Sequence, residues 1–355
     1  MKKIFCLSVM AWFLIAISSC RHDPDNEPDS TNPGDYFNLM VVNEGSFGSG
    51  NAELSLINTT TDSVMNAAFS LLNNRPLGDV AQSVAPINDE WWVVVNNSQK
   101  IEVLDATTLL SKASITGFSS PRYLADNGSG KAIVSNLFAE EIEEINTATY
   151  AISATHIEDC SQPSIYDCGN EMCAFAQGKW WLANQAQDKI IARNNVLDEV
   201  FSTSLNANPQ SLLRDSDGNI WVLTYDFTGV EPVRIYKLNG TDGQIVASLD
   251  MPAGTPYASQ NMVLSPDAQN LYILGNHIYH IHTPSSTPTL EQICSYTATA
   301  PYGLGIDAEG SFLYLCEAGD FVSPGAVIRI SLATCEEVNR YTVGINPAKI
   351  VLLPH

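Results

Sequence analysis

The sequence has few residues in the patterns that catalytic sites require. It lacks the G-x-S-x-G turn of serine hydrolases, the H-E-x-x-H helix of zinc proteases and the glycine-rich phosphate-binding fingerprints. The segment HIYHIH places His280 and His282 on one side of a predicted strand, but no third zinc ligand follows at a suitable spacing. The paired acids Glu140 and Glu141, and Glu143 and Glu144, lie on a predicted third strand away from the channel face, where we expect solvent. We therefore predict no catalytic residue, no metal, no cofactor and a protein that is not an enzyme.

The chemistry that the sequence does carry is stacking and hydrogen bonding. Aromatic and amide side chains, with few charges among them, recur in loops that are predicted to share one face. Such side chains suit a large, flat ligand that bears amides or hydroxyls; the alternative is that the aromatic residues only pack between repeats. The candidate ligand-binding residues are Phe47, Asn97, Arg122, Tyr123, Phe138, Tyr166, Gln185, Gln210, Tyr225, Phe227, Tyr257, Gln260, His277, Tyr302 and Phe321.

A strand pattern that occurs seven times from Phe37 onward positions these loops. Its copies are FNLMVVNEG, WWVVVNN, KAIVSNL, KWWLANQ, NIWVLTY, NLYILGN and FLYLCEAG. Successive copies end 40 to 53 residues apart, which is the spacing of four-stranded propeller blades. Each copy precedes a strand with alternating polarity, such as KIEVLDA. The sequence therefore predicts an all-β, seven-bladed β-propeller whose inter-blade loops and second-to-third-strand loops meet on one face.

A proline before a strand marks the innermost strand of most blades, because the missing N–H costs no ladder hydrogen bond there. The segments are SPRYLAD, QPSIYDC, NPQSLLRD, TPYASQNMVLS, APYGLGID and NPAKIVLL, with LGDVAQSVA in the second blade. The first repeat lacks an inner strand, whereas INPAKIVLL has no blade after it. We predict that this C-terminal strand completes the first blade and closes the ring.

The N-terminal 19 residues have the pattern of an export signal. Two lysines precede an apolar run at residues 4–17, which is shorter than the ~20 residues of a membrane span. The sequence LIAISSC resembles a bacterial lipobox and predicts that Cys20 is lipidated; ordinary secretion is the alternative. Residues 20–37 are predicted to be a flexible acidic tether, since RHDPDNEPDSTNPG has no apolar residue. The propeller is predicted to span residues 38–355.

Charge and cysteine content restrict the partners and the compartment. The formal net charge of −22 disfavours nucleic acid and anionic lipid head groups as partners. An even number of cysteines in an exported domain permits disulfides, although spacing does not determine the pairs. Cys316 is predicted to be a core residue. The cysteines of the folded part are Cys160, Cys168, Cys173, Cys294, Cys316 and Cys335.

Several segments together resemble a known family. VVNEGSFGSGNAELSLIN, SPRYLAD, NPQSLLRDSDGNIWVLTYD, the lipobox and the acidic tether are similar to the YncE-like seven-bladed propeller lipoproteins of diderm gut bacteria. Within that group, the chain resembles the BtuG-type lipoproteins that capture vitamin B12. The resemblance implies a lipid-anchored protein of the outer membrane, exposed at the cell surface, that binds a corrinoid and passes it to a TonB-dependent transporter.

Two other classes of function remain open on the residues alone. The aromatic face could serve a glycan-binding or protein-binding propeller. A metal-dependent propeller lyase would instead require His or Glu ligands that converge on the channel, and no spacing in the sequence identifies such a set.

Overall fold

The computed structural model describes residues 32–158 and 169–354, which form seven four-stranded antiparallel sheets. The sheets are the blades of a closed ring, so the predicted seven-bladed β-propeller is confirmed. The predicted export signal, the lipidated Cys20 and most of the tether lie outside the described residues. So do Tyr166, Cys160 and Cys168.

The strands follow the chain blade by blade, and two short helices, α1 (Pro33–Tyr36) and α2 (Ala68–Asn73), accompany the first blade. The strands up to the third blade are β1 (Leu39–Asn43), β2 (Glu53–Asn58), β3 (Ser63–Met65), β4 (Ala81–Ile87), β5 (Glu90–Val95), β6 (Lys100–Asp105), β7 (Ser111–Thr116), β8 (Pro121–Asp126), β9 (Lys131–Asn136), β10 (Glu141–Asn146) and β11 (Ile152–Ile157). The remaining strands are β12 (Asn170–Ala176), β13 (Lys179–Asn184), β14 (Lys189–Arg193), β15 (Glu199–Ser204), β16 (Pro209–Arg214), β17 (Ile220–Thr224), β18 (Arg234–Leu238), β19 (Ile245–Asp250), β20 (Met262–Leu264), β21 (Asn270–Leu274), β22 (Ile278–His282), β23 (Glu291–Cys294), β24 (Pro301–Ile306), β25 (Phe312–Glu317), β26 (Pro324–Ser331), β27 (Glu337–Ile345) and β28 (Pro347–Leu352). Blade 1 has the order β28-β1-β2-β3, and blades 2 to 7 each use four consecutive strands.

The burial of the strands changes from the hub to the rim of the ring. Every residue of the second strand β5 is buried, because blades pack on both of its faces. The outer strand β19 instead alternates between exposed and half-buried residues, as expected for one solvated face. The core accordingly lies between blades: Trp92 of blade 2 is fully buried in one cluster with Val134 and Ile145 of blade 3.

The proline signal locates four of the inner strands. β8, β16, β24 and β28 each begin at a proline, where an absent N–H leaves the ladder intact. In blade 6 the inner strand β20 is short and begins well after Pro256, so this proline does not mark its start.

The prediction for the inner strand of blade 4 is wrong. QPSIYDC was expected there, but the strand that pairs with β13 is β12, with the sequence NEMCAFA. The physical reason is the connection: only Gln177 and Gly178 join the two strands, and both have positive φ angles, as a two-residue hairpin turn requires. A short hairpin turn just before the second strand therefore identifies the inner strand more reliably than a preceding proline does.

The predicted closure of the ring is confirmed. β28 pairs with β1 in antiparallel register, with Leu39 opposite Leu352 and Val41 opposite Ile350. The seam with blade 7 is tight at Gly303 of β24. A Cβ atom at this position would lie 1.9 Å from the carbonyl oxygen of Ala348, so only glycine allows the two inner strands to approach this closely.

The described cysteines fall into two kinds. Cys294 of β23 and Cys335 in the turn after β26 form a disulfide that joins blades 6 and 7. Cys173 and Cys316 are buried free thiols, which confirms the prediction that Cys316 belongs to the core. Among the described residues, no helix is long and apolar enough to span a bilayer.

Candidate functional site

A β-bulge near the start of most inner strands directs one side chain toward the channel. In β4, Ala81 pairs with Val95 and Ser83 pairs with Val94, which leaves Gln82 as the extra residue. A bulge re-aims the unpaired side chain, and repetition around the ring brings these side chains together. The equivalent positions in other blades are Arg122, Glu171, Gln210, Tyr302 and Ala348.

Glu44 lies at the centre of this group. It follows β1 directly and is only 8% exposed. Its Oε2 accepts a hydrogen bond from the Tyr302 hydroxyl (3.0 Å), and its Oε1 accepts bonds from Ser259 Oγ (3.1 Å) and Gln82 Nε2 (3.5 Å). These donors come from different blades, so the contacts span the hub. We call Glu44, Gln82, Arg122, Glu171, Ser259 and Tyr302 the hub cluster.

Arg122 connects the second, third and fourth blades within the hub cluster. Its Nε and Nη2 bind both carboxylate oxygens of Glu171 at 2.9 and 2.5 Å, and its Nη1 donates to Gln82 Oε1 at 2.5 Å. The Arg122 and Glu171 side chains are 15% and 4% exposed. A bidentate, largely buried pair of this kind fixes both side chains in place.

The second carboxyl of the hub cluster, Glu44, forms no ion pair of this kind with a described residue. Burial raises its pKa to about 7, and the nearby Glu171 charge adds to that effect. Arg122 and the hydrogen bonds from Tyr302 and Ser259 act in the opposite direction without cancelling it. Glu44 therefore exchanges its proton near neutral pH, which is a property of carboxyls that take part in binding or proton transfer.

Exposed aromatic rings surround the hub cluster on the same face. Four phenylalanines lie in the second-to-third-strand loops of blades 1, 3, 5 and 7, and we call them the aromatic rim. They are Phe47 (78% exposed), Phe138 (46%), Phe227 (61%) and Phe321 (45%). Isolated exposed apolar residues are common, and what distinguishes these four is that they occupy equivalent loops of alternate blades.

Ring contacts extend from the aromatic rim toward the hub at two places. Tyr225, Phe227 and Tyr257 pack with ring centroids 5.1 to 5.5 Å apart. The ring of Phe321 lies 5.6 Å from that of Tyr302, which itself binds Glu44. Aromatic side chains thus continue from the solvent-exposed edge down to the polar centre.

The structure brings together most of the candidate residues from the sequence. Arg122 and Tyr302 are in the hub cluster, while Tyr123 and Gln260 bond to each other across the channel. Gln185 Nε2 donates to Gln210 Oε1 at 3.0 Å.

Two candidates lie apart from the hub cluster. Asn97 Nδ2 binds Asp79 (2.6 Å) at the surface, and His277 Nδ1 lies 3.1 Å from Ser295 Oγ.

Four members of the hub cluster were not among the residues predicted from the sequence: Glu44, Gln82, Glu171 and Ser259. A signal for three of them is present in the sequence. Gln82 and Glu171 each occupy the second position of an inner strand, as Arg122 and Tyr302 do, and Glu44 directly follows a second strand. Ser259 has no such signal, because its loop has no repeat partner with the same length.

The remaining polar patterns are structural. His280 Nε2 lies 2.9 Å from Asn270 Oδ1, whereas His282 is exposed, and no group of three or more potential ligands occurs among residues 32–158 and 169–354. The expectation that Glu143 is solvated is wrong. It is buried, accepts a bond from Asn136 Nδ2 at 2.7 Å, and has a pKa raised to about 7 by burial.

Comparisons with known proteins agree with the fold. Residues 38–317 match a family described as a domain of unknown function (DUF5074). No curated protein matches the chain. A periplasmic gluconolactonase from Pseudomonas aeruginosa is 14% identical, with a TM-score of 0.66, and the match covers 90% of this chain and 99% of that one.

Two further structures have the same fold. A protein from Lactobacillus plantarum is 13% identical, with a TM-score of 0.67 and coverage of 90% and 99%. A quinonprotein alcohol dehydrogenase-like protein from Bacteroides thetaiotaomicron is 16% identical, with a TM-score of 0.63 and coverage of 90% and 79%. Family and fold thus fit the resemblance to YncE-like propellers, while the likeness to vitamin B12-binding lipoproteins belongs to the proposal below.

The gluconolactonase match corrects the prediction that the chain is not an enzyme. That prediction relied on the absence of familiar catalytic motifs. The match shows a propeller of similar size that is named as an enzyme, and the structure of the present chain contains a buried carboxyl, Glu44, whose pKa burial raises to about 7. The missing motifs therefore do not exclude catalysis.

Proposed function

The chain belongs to the family described as a domain of unknown function (DUF5074), and from the geometry of its channel face we propose that it captures a corrinoid of the vitamin B12 type. In this proposal the protein is a lipoprotein, anchored through Cys20 to the outer membrane and exposed at the cell surface. It delivers the corrinoid to a TonB-dependent outer-membrane transporter. The DUF5074 description itself names no activity, so the proposal depends on the site.

The observation that carries the proposal is the aromatic rim around an amide-bearing centre. A corrin is a wide, flat ring with apolar faces and peripheral amide side chains. Phe47, Phe227 and Phe321 offer apolar surface at the edge, and Gln210, whose Nε2 has no hydrogen-bond partner among the described residues, offers an amide nearer the hub. A rigid β-scaffold also loses little conformational entropy when a ligand binds, which favours tight capture.

Other features support the proposed location. The disulfide between Cys294 and Cys335 is of the kind that persists in oxidising, exported compartments. The lipobox and acidic tether agree with a lipid anchor. A surface capture protein requires a membrane partner to import its ligand, and this is the role proposed for the TonB-dependent transporter.

The test is direct because corrinoids are coloured. Purified mature protein is mixed with cyanocobalamin or cobinamide and passed through a desalting column, and the proposal predicts that the protein fraction is pink. The double variant Phe47→Ala/Phe227→Ala should weaken binding by about tenfold or more, as for other aromatic anchors. Val246→Ala is the matched control, since Val246 is also exposed but lies on the outer strand of blade 5.

A colourless protein fraction with both corrinoids would refute the proposal. Retention of a polysaccharide by the same face, lost in the Phe47→Ala/Phe227→Ala variant, would instead support a glycan-binding propeller.

Glu44 favours a second candidate function, hydrolysis of a cyclic ester such as a sugar lactone. A carboxylate with a pKa of about 7 can take a proton from water as the water attacks the carbonyl carbon, and it can return that proton to the ring oxygen as the ester C–O bond breaks. The Tyr257 hydroxyl makes no hydrogen bond to a described residue and could donate to the developing oxyanion. Hydrolysis of gluconolactone above the buffer rate, rising with pH through about 7 and abolished in Glu44→Gln, would support this candidate; a rate equal to that of buffer would exclude this substrate.

A further inference from the structure

A cavity of about 220 Å³ lies further along the channel than the hub cluster. The residues that line it occupy the middle of the inner strands, such as Leu124 of β8, Leu212 of β16 and Lys349 of β28. Each residue advances a strand by about 3.3 Å, so these positions lie several ångströms beyond the bulges that form the hub cluster.

The boundary between the hub cluster and this cavity is a polar bridge across the channel. Gln260 Nε2 donates a hydrogen bond to the Tyr123 hydroxyl, and Lys349 Nζ donates to Gln260 Oε1 at 3.4 Å. These three side chains come from blades 3, 6 and 1. They also line the cavity, so an amine faces it from the end nearest the hub.

Lys349 lacks the partner that a cation in such a place normally has. Its side chain is half-buried, and among the described residues no carboxylate oxygen lies within 4.0 Å of its Nζ. The long bond to Gln260 Oε1 uses one of its three donors. Burial lowers the pKa of Lys349, which is the expected response of an amine without a counter-ion. An anion in the cavity would supply the missing charge.

The walls of the cavity determine which anion fits. Val84, Leu124, Met172, Leu212 and Met262 supply an apolar surface that covers about half of the lining, and polar side chains supply the rest. Inorganic phosphate or chloride would satisfy Lys349 and leave this apolar surface in contact with water. Arg214 lines the same cavity and is exposed at the end of β16, so the cavity reaches solvent beside a second positive charge.

We propose that this cavity binds a short aliphatic monocarboxylate. Its carboxylate accepts hydrogen bonds from the Lys349 ammonium, and its hydrocarbon chain lies against Leu124, Leu212 and Met262. A water molecule takes about 30 Å³ of liquid volume, so 220 Å³ corresponds to roughly seven waters, and butanoate, with six heavy atoms, is of matching size. This cavity lies beyond the hub cluster, with Tyr123 and Gln260 at the boundary, and the proposal does not depend on corrinoid binding.

The experiment is calorimetric titration of the full mature chain at constant ionic strength with acetate, propanoate, butanoate and hexanoate. Sodium chloride and sodium phosphate are titrated in the same way as inorganic anions for comparison. We expect heat of binding for the carboxylates, with affinity rising from acetate to butanoate as more apolar surface is covered. In Lys349→Met the affinity for butanoate should fall by about tenfold or more, because a charge-assisted hydrogen bond is lost. Lys349→Arg should retain binding.

Lys179→Met is the matched control, because Lys179 lies on β13 outside the cavity and its Nζ donates to Gln177 O at 3.5 Å. Three results would overturn the proposal: no carboxylate binds the wild type, phosphate or chloride binds as well as butanoate, or Lys349→Met binds butanoate as the wild type does. If Lys349→Met does not fold, the affinities for acetate and butanoate are compared in the wild type and in Arg214→Glu. Equal affinity for the two carboxylates would contradict an apolar surface in the cavity.

Discussion

At the scale of single residues, the central finding is an unequal pair of buried carboxyls. Glu171 accepts two hydrogen bonds from the Arg122 guanidinium. Glu44, beside it in the hub cluster, accepts bonds from neutral donors among the described residues, and burial raises its pKa to about 7. One buried acid with a cation partner and one without can divide binding and proton transfer between them.

The raised pKa of Glu44 predicts how stability depends on pH. The folded state favours the protonated acid, so this contribution is fully present below the ordinary pKa of 4.5 and is lost as pH rises through about 7. The free energy of unfolding should fall by up to about 3 kcal/mol over that interval. Urea denaturation of the wild type and Glu44→Gln at several pH values measures it, and the variant should show a shallower decline. If the free energy of unfolding falls equally with pH in the wild type and in Glu44→Gln, the raised pKa of Glu44 is contradicted. Glu143→Gln is the reference variant, because burial also raises the pKa of Glu143, which lies outside the hub.

The pair formed by Arg122 and Glu171 leads to a second prediction. Arg122→Met leaves the Glu171 carboxylate buried without its cation and should lower the free energy of unfolding by about 3–5 kcal/mol. The double variant Arg122→Met/Glu171→Met should lose much less, because no charge is then stranded. A double-mutant cycle by chemical denaturation gives the coupling, and additive losses would show that the two side chains act independently.

At the scale of elements, the blades differ in the bulges and loops at the ends of their strands, and these bulges and loops form the candidate site. The strand ladders are similar around the ring, and each bulge adds a channel-facing residue without disturbing the packed strands next to it. The second-to-third-strand loops carry the aromatic rim because they lie outside the ladder and tolerate change. Similar strand ladders with different residues at the strand ends and loops allow one fold to bind unrelated ligands.

The disulfide between Cys294 and Cys335 joins two neighbouring blades and yields a prediction at this scale. The bond closes a loop with a sequence separation of 41 residues. In the chain-entropy account such a loop stabilises the fold by about 4 kcal/mol, so Cys294→Ala/Cys335→Ala should unfold at a lower urea concentration. Reductant should destabilise the wild type and leave this variant unchanged. A wild-type transition that reductant does not move would show that the bond contributes nothing.

At the scale of the whole molecule, closure determines whether the site exists. The hub cluster draws side chains from six segments distant in sequence, and Glu44 itself follows β1, whose edge is covered by β28. Without that strand, β1 would present unpaired backbone groups to solvent, and the ring would have an open edge.

Truncation tests this dependence. A chain that ends before Asn346 lacks β28 and should unfold or oligomerise, which size-exclusion chromatography and circular dichroism would detect. The control is a chain that ends after Leu353, which keeps the whole of β28 and should behave as the full chain does. A monomeric truncation product that unfolds cooperatively would contradict the role of β28.

The sequence alone determined the repeat, the blade number and the closure. These features depend on hydrophobic strand patterns and turn residues that occur many times, so an error in one blade, such as QPSIYDC for NEMCAFA, does not change the result. Arg122, Tyr257 and Tyr302 were also found, because their loops can be assigned to one face once the blades are counted.

Only the tertiary structure decided which side chains meet and in what charge state. Glu44 is an ordinary acid in the segment VVNEG, and its pKa depends on burial and on Arg122, Ser259 and Tyr302, which are far from it in sequence. Lys349 likewise reads as part of a strand until the ring places it beside a cavity without a counter-ion. Desolvation and charge proximity are properties of three-dimensional neighbours, and a local sequence pattern does not contain them.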